Sequence, residues 1–464
     1  MEDAKDVVDN LKLRLSYGTV GNDNIKSHLY EPVWVPDFVT VDGKTVKTWK
    51  SSAYKPNPKL KWEKTIDRNV GLDFAFMNGV LRGSVDAYWN STDNNLFQVP
   101  VSPIQGYEYE FCNVGETSNK GFEVNFNYDI IRSKDFNLGV SATYNYNKNN
   151  IESIGDDVQA NAHTNWGSTM RIPYYDYVVE VGRPVGLIQG FKSVGYYTVD
   201  DFDYNAATKT YTLKSGVPDQ RLLNYSAGVS SLADATNIIN GEKQRAFPGA
   251  MKFEDKNHDG VVDQNDVQII GETQAKHSGG FGITASYKWF DLSMNFAYQI
   301  GGKVYNANAM YSMMGNKDNS LGQNRLAIVS DCFKNYALDA NGDLELVTDP
   351  DQLRKINKGT KYGSAFSEYG VVSSEFIEDA SYLRLNTLTL GYTVPAAWTK
   401  KVGISNARVY FTGGNLFCLT GYSGMDPDVS TNTDAGGNGF PTPNYDYNAY
   451  PKARTFTVGM NVTF

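Results

Sequence analysis

The feature that most restricts what this chain can fold into is a strict two-residue alternation of apolar and polar side chains, sustained over unusually long stretches. From Phe122 to Asp129, Phe122, Val124, Phe126 and Tyr128 alternate with Glu123, Asn125, Asn127 and Asp129. From Phe136 to Asn147, Phe136, Leu138, Val140, Ala142, Tyr144 and Tyr146 alternate with Asn137, Gly139, Ser141, Thr143, Asn145 and Asn147. The pattern recurs from Val70 to Phe76, Leu81 to Trp89, Phe281 to Trp289, Leu292 to Ile300, and in the closing Phe456, Val458, Met460, Val462 and Phe464. A period of two places alternate side chains on opposite faces of a strand. Strands in soluble sheets run to about five or six residues, whereas a tilted strand crossing a bilayer needs about nine to eleven. Runs of adjacent apolar residues stop at four, as in Phe74-Ala75-Phe76-Met77. A membrane-spanning helix, which needs about 20, is therefore excluded, and a membrane barrel is not.

The connections sort into two kinds. Short ones are expected at Asn78-Gly79, at Arg132-Ser133-Lys134-Asp135 and at Phe290-Asp291, with a longer turn following Pro395 and ending near Asn406. Long ones cover about residues 20–60, 149–278 in part, 302–380 and 418–452. Short periplasmic turns alternating with long extracellular loops are the pattern of outer-membrane barrels. A soluble sandwich or propeller would have shorter strands and no such sorting. Tracing the strands with short turns on the periplasmic side brings Phe464 to the periplasm. A further pair, around Met170 to Val181 and Val185 to Tyr197, raises the expected total to about twelve strands. The fold class is thus an all-β, transmembrane antiparallel β-barrel.

Composition narrows the function. The 43 Lys and Arg against 52 Asp and Glu give a net charge of −9, and without a basic stripe this argues against a nucleic-acid partner. Three cysteines, Cys112, Cys332 and Cys418, form neither a disulfide framework nor a zinc motif. The opening residues Glu2-Asp3-Ala4-Lys5-Asp6 are polar and do not read as a signal peptide. The polar strand faces carry Asn, Ser, Thr, Gly and Gln more than Lys and Glu, as suits a hydrated lumen or an inserted plug. Trp89, Trp289, Tyr392, Trp398 and Phe456 fall near strand ends and are candidates for interfacial aromatic girdles. The four histidines, His28, His163, His258 and His277, form no His-Glu-x-x-His pair. No nucleophile elbow, phosphate loop or dinucleotide fingerprint occurs, so no organic cofactor and no enzyme are expected.

One motif has metal-ligand spacing. Residues 255–266 place oxygen donors at loop positions 1, 3, 5, 9 and 12, namely Asp255, Asn257, Asp259, Asp263 and Asp266. Gly260 takes the sharp turn, and Val261 would offer its backbone carbonyl. Asp266 stands where a bidentate Glu is usual, and no helical pair flanks the loop. The reading is a structural calcium loop; the plainer one is a surface loop rich in Asx turns.

Several motifs resemble the SusC/RagA-type TonB-dependent transporters of the Bacteroidetes outer membrane. They are Lys12-Leu13-Arg14-Leu15-Ser16-Tyr17-Gly18 with Gly21-Asn22, Asn113-Val114-Gly115-Glu116-Thr117-Ser118-Asn119-Lys120-Gly121-Phe122-Glu123, and Phe247-Pro248-Gly249 before the acidic loop. Leu383-Arg384-Leu385-Asn386-Thr387-Leu388-Thr389-Leu390-Gly391-Tyr392 and Gly414-Asn415-Leu416-Phe417, running on to Tyr422-Ser423-Gly424-Met425-Asp426-Pro427, complete the series. The resemblance spans about residues 11–464. It implies a barrel of about 22 strands with an N-terminal plug, and import of oligosaccharides or peptides driven through TonB. A SusD-like surface lipoprotein would act as the lid. The terminal Phe456, Val458, Met460, Val462 and Phe464 resemble the signal such barrels present to their assembly machinery. Against that pattern this sequence shows no plug or TonB box and is expected to be the C-terminal barrel half, embedded in outer-membrane lipids. TonB coupling would then run through a missing N-terminal part. A plugless passive pore, or a structural or adhesive barrel, is the alternative.

Overall fold

The computed structural model describes residues 7–23, 27–155, 161–162, 176–220, 247–313, 325–364, 371–431 and 442–464. Ten long strands form one antiparallel sheet: β1 (Val8–Asn22), β2 (Glu63–Phe76), β3 (Leu81–Asp93), β4 (Glu116–Arg132), β5 (Phe136–Ser153), β6 (His277–Tyr287), β7 (Phe290–Ile300), β8 (Tyr382–Thr393), β9 (Asn406–Thr420) and β10 (Thr455–Thr463). Each pairs with its neighbours in sequence, a simple up-and-down meander. Among the described residues β1 and β10 are the two outer strands of this sheet. At about 3.3 Å per residue even the nine-residue β10 is long enough for a tilted crossing.

The register carries the alternation across the whole sheet. Phe136, Tyr287, Phe290, Tyr392, Val409 and Met460 are aligned in one cross-strand row. One residue along, Asn137, Ser286, Asp291, Gly391, Tyr410 and Gly459 form the neighbouring row on the opposite face. The apolar face is open: Leu15 is 72% exposed, Val458 76% and Phe464 88%. In water such a surface would be a severe liability, and in a bilayer it is the face that lipid requires. No helix among the described residues is long and apolar enough to cross a membrane.

The short connections behave as expected with one shift. The turn between β2 and β3 is centred on Asn78 (φ 52°) and Gly79 (φ 68°) and spans Met77–Val80, with Met77 (φ 57°) also in the left-handed region. The β6–β7 turn lies at Lys288-Trp289, two residues earlier than Phe290-Asp291. Lys288 takes the positive φ there (54°) and Phe290 already pairs with Tyr287. The turn after β8 contains two short helical stretches, Ala396–Thr399 and Lys400–Val402, closed by Gly403.

Two expectations are corrected. The large sheet has ten strands among the described residues, where about twelve were expected. Within the supposed extra pair, Tyr177–Val178 and Leu187–Gly190 belong to a small four-stranded sheet with Asn161–Ala162 and Gln268–Glu272. Residues 170–175 lie outside the described residues. These strands are too short to cross a bilayer, and Leu187 and Ile188 are both fully buried, so no two-faced alternation exists. The connection between β3 and β4 is also a folded loop. Its Tyr109–Asn113 pairs with Leu96–Pro100 and, in parallel, with Tyr54–Lys55 of the first long loop.

Candidate functional site: the polar wall and the loop cap

The polar face is laced with charge pairs wherever a glycine opens room between strands. Arg14 of β1 reaches across Gly71 to Asp86 at 2.8 Å and also pairs with Asp73 at 2.9 Å. Arg408 of β9 reaches across Gly391 to Asp291, at 2.6 and 3.0 Å. A Cβ at Gly71 or Gly391 would overlap the paired carboxylate and guanidinium in each case. Asp129 accepts from both Arg82 and Arg132 near the short turns. These ions are mutually paired, and Asn, Ser and Thr supply much of the remaining polar surface.

The water-excluded core lies almost wholly outside the large sheet, in the long connections, with Ile151 at the end of β5 joining it. One cluster gathers Tyr177, Ile188, Phe191, Met251, Phe253 and Val262 from the loop after β5. To these it adds Tyr305, Met310 and Met313 from the loop after β7, and Tyr445 from the loop after β9. Backbone pairing interlocks the same loops. Lys303–Asn306 pairs antiparallel with Ile377–Asp379 and parallel with Tyr445–Asp446, and Phe191 bridges to Ser373. Buried polar groups seal the joint. The Tyr422 hydroxyl donates to Asp446 Oδ2 at 2.6 Å, and Asn308 Nδ2 donates to Oδ1 at 2.8 Å. Asn306 Nδ2 donates to Glu378 Oε1 at 2.7 Å. Burial pushes the Asp446 carboxyl above its ordinary range despite these donors. A second cluster, around Tyr197, Phe202, Tyr211, Phe247, Phe333 and Leu353, joins the loops after β5 and β7 again. The result is one folded cap at the long-connection end of the sheet.

Wall and cap meet at Arg384. This β8 residue is 5% exposed and donates to both oxygens of Asp426, at 2.5 and 3.0 Å, and to Asn415 Oδ1 at 2.9 Å. Burial alone would push Asp426 up, but the hydrogen bonds from Arg384 and from the Asp428 main chain, together with the charges of Arg384 and Lys452, outweigh it and hold the carboxyl below the usual range. Three separate motifs of the sequence resemblance therefore converge on one buried ion pair. The Asp446, Tyr422 and Asn308 network was not legible beforehand, because Asn308 and Asp446 are 138 residues apart and neither sits in a spaced motif.

The aromatic candidates take up positions at both ends of the strands. Trp289, Tyr392 and Trp398 lie at the short-turn end, whereas Phe456 lies at the long-loop end and Trp89 toward it. Phe456, Val458, Met460, Val462 and Phe464 form one edge of the apolar face on and just after β10. In the acidic loop, Asp255 Oδ2 accepts from Gly260 N at 2.8 Å, Asn257 Oδ1 from Asp259 N at 3.1 Å, Asp259 Oδ1 from Val261 N at 2.9 Å and Asp263 Oδ1 from Asn265 N at 2.8 Å. Among the described residues no three His, Cys, Asp or Glu side chains converge closely enough to form a metal-holding group.

Comparison with known proteins agrees with this architecture. A family model described as TonB dependent receptor-like, beta-barrel matches residues 6–238. The chain is 28% identical over 465 residues to the TonB-dependent receptor SusC of Bacteroides thetaiotaomicron, covering 99% of this chain and 38% of that protein. It is 26% identical over 458 residues to the TonB-dependent receptor P3 of Formosa agariphila, covering 98% and 39%. The chain thus spans about two-fifths of the length of these relatives. The solved structure of the RagAB peptide transporter superposes with a TM-score of 0.65 at 22% identity, over 99% of this chain and 41% of that one, and so shares its fold. A ten-stranded lipid-facing meander and a match to half the chain lead to one conclusion: this chain belongs to the TonB-dependent receptor-like β-barrel family of outer-membrane proteins.

Proposed function

We propose that the chain is the C-terminal barrel part of an importer that moves oligosaccharides or peptides across the outer membrane. The observation that carries this reading is the interlocked cap. A passive pore has no need of three long connections folded into one buried core, whereas an importer needs a shaped, rigid binding surface over its lumen. The RagAB peptide transporter supports the peptide class by analogy, and the oligosaccharide class rests on the sequence resemblance alone. A SusD-like surface lipoprotein would close over the cap. Energy would come from TonB, through the portion of the relatives that lies outside the matched two-fifths. The aromatic side chains at the strand ends would sit in the two interfaces, and Phe456, Val458, Met460, Val462 and Phe464 would be read by the barrel assembly machinery.

The test is uptake of labelled oligosaccharides and labelled peptides by cells carrying the full-length protein, with and without a protonophore. Import that stops when the proton gradient collapses is the expected result. Import that continues unchanged would overturn the energised mechanism and favour a passive pore. Steady single-channel conductance in a planar bilayer would point the same way.

A further inference from the structure

The acidic loop 255–266 has no part in the transport reading, yet it is firmly built into the cap. Met251–Phe253 leads into it, paired with Ser193–Tyr196, and Gln268–Glu272 leads out, paired with Leu187–Gly190. Phe253 and Val262 are buried in the cap core at 1% and 0% exposure. Four carboxylates fall within twelve residues, and none forms an ion pair with a lysine or arginine among the described residues. Asp266, fully buried, is satisfied by main-chain donors: Oδ1 accepts from Lys256 N and Asn257 N, and Oδ2 from Asp263 N. Asp255 is not satisfied. It is more than nine-tenths buried, its Oδ2 faces into the loop to accept from Gly260 N, and its Oδ1 is shut off from solvent with no donor. A buried carboxylate oxygen without a donor is strongly unfavourable, and a cation is the partner that would relieve it.

We propose that this loop binds one calcium ion and that the ion clamps the extracellular cap. Asp255 Oδ1 is the inner ligand. The side-chain oxygens of Asn257, Asp259 and Asp263 and the main-chain oxygen of Val261 complete an all-oxygen set at loop positions 3, 5, 9 and 7. Asp266, with both oxygens engaged, braces the loop from its twelfth position. An irregular oxygen set of this kind suits calcium, whereas magnesium demands a near-ideal octahedron and gives up its waters reluctantly. The outer carboxylates Asp259 and Asp263 close on the ion as it binds. Residues 254–267 then become a rigid link between two strands of the cap.

Calorimetric titration of the full-length detergent-solubilised protein, stripped with EGTA, with calcium chloride tests this. Asp255→Asn and Asp259→Ala are run alongside, and circular dichroism establishes that each is folded. The expected result is a calcium site with a Kd of about 10⁻⁵ to 10⁻³ M, the range of sensor and extracellular calcium sites. Each variant should weaken it at least tenfold, and magnesium should not compete at equal concentration. Asp259 is exposed, so its variant decides the matter if Asp255→Asn fails to fold. Calcium should also slow proteolytic cleavage within 255–266 in the unsubstituted protein and not in Asp259→Ala. No binding at roughly ten times the upper end of that range, or binding equally strong in the folded variants, would overturn the proposal.

Discussion

Arg384 shows how much one side chain can hold together. Its guanidinium joins β8, the bend of β9 at Asn415 and the loop at Asp426, and it is almost wholly buried. Removing one member of a buried ion pair strands the other, at about 3–5 kcal/mol. Arg384→Ala is therefore expected to raise amide hydrogen exchange in residues 421–431 well before the barrel unfolds. The pH dependence has a definite sign. Asp426 is held below the usual carboxylate range, so its stabilisation is present above that range and lost as pH falls through its depressed folded value. Protection factors in the same segment, referenced to intrinsic exchange at each pH, should fall on acidification below about pH 4 and should be nearly pH-independent in Asp426→Asn. Glycine acts by absence on the same wall. Gly391→Val would drive a side chain into the Asp291–Arg408 pair, with an expected destabilisation of about 1–3 kcal/mol, read as a lower temperature of heat-modified gel mobility.

At the scale of the element, a strand here is a boundary between two solvents. β10 pairs with β9 through nine residue pairs and shows its apolar residues to lipid. Deleting Phe464 leaves that ladder intact, because the register ends at Thr463. The expected effect is thus on delivery: a several-fold drop in outer-membrane protein, measured by fractionation, with unchanged strand content in what is inserted. The strands were readable because a period of two is local and each residue declares its face. The β6–β7 turn was misplaced by two residues because Trp289 continues the apolar series and hides the boundary. The difference was settled by Lys288, whose positive φ lets Tyr287 and Phe290 face each other.

On the scale of the whole molecule, the cap is assembled from three connections that share one packed core. Tyr445 is its joint: it is 2% exposed, sits edge-on to Tyr305 at 5.5 Å, and belongs to the short strand pairing in parallel with Lys303–Asn306. Tyr445→Ala should cost about 3–5 kcal/mol of local stability. The informative readout is correlation. Exchange should rise together in 303–306, 377–379 and 445–446, and loosening confined to 445–446 would show that the loops are independent. Such rigidity matches what a binding surface needs, since a floppy cap would lose ordering entropy each time it closed on cargo.

By itself the sequence determined most of the sheet's strands, its two faces and the sorting of short turns from long loops. Each of these depends on neighbours a few residues apart, and on whether a side chain prefers lipid or water. The acidic loop was legible for the same reason, since its ligand spacing is local. Only the tertiary structure decided that the long connections form one core, that Arg384, Asn415 and Asp426 meet, and that Asp255 keeps a buried oxygen without a donor. It also moved Tyr177–Val178 and Leu187–Gly190 from the wall into the cap. Those outcomes depend on contacts between residues far apart in sequence, where burial in a shared core overrides local pattern and no periodicity records the partner.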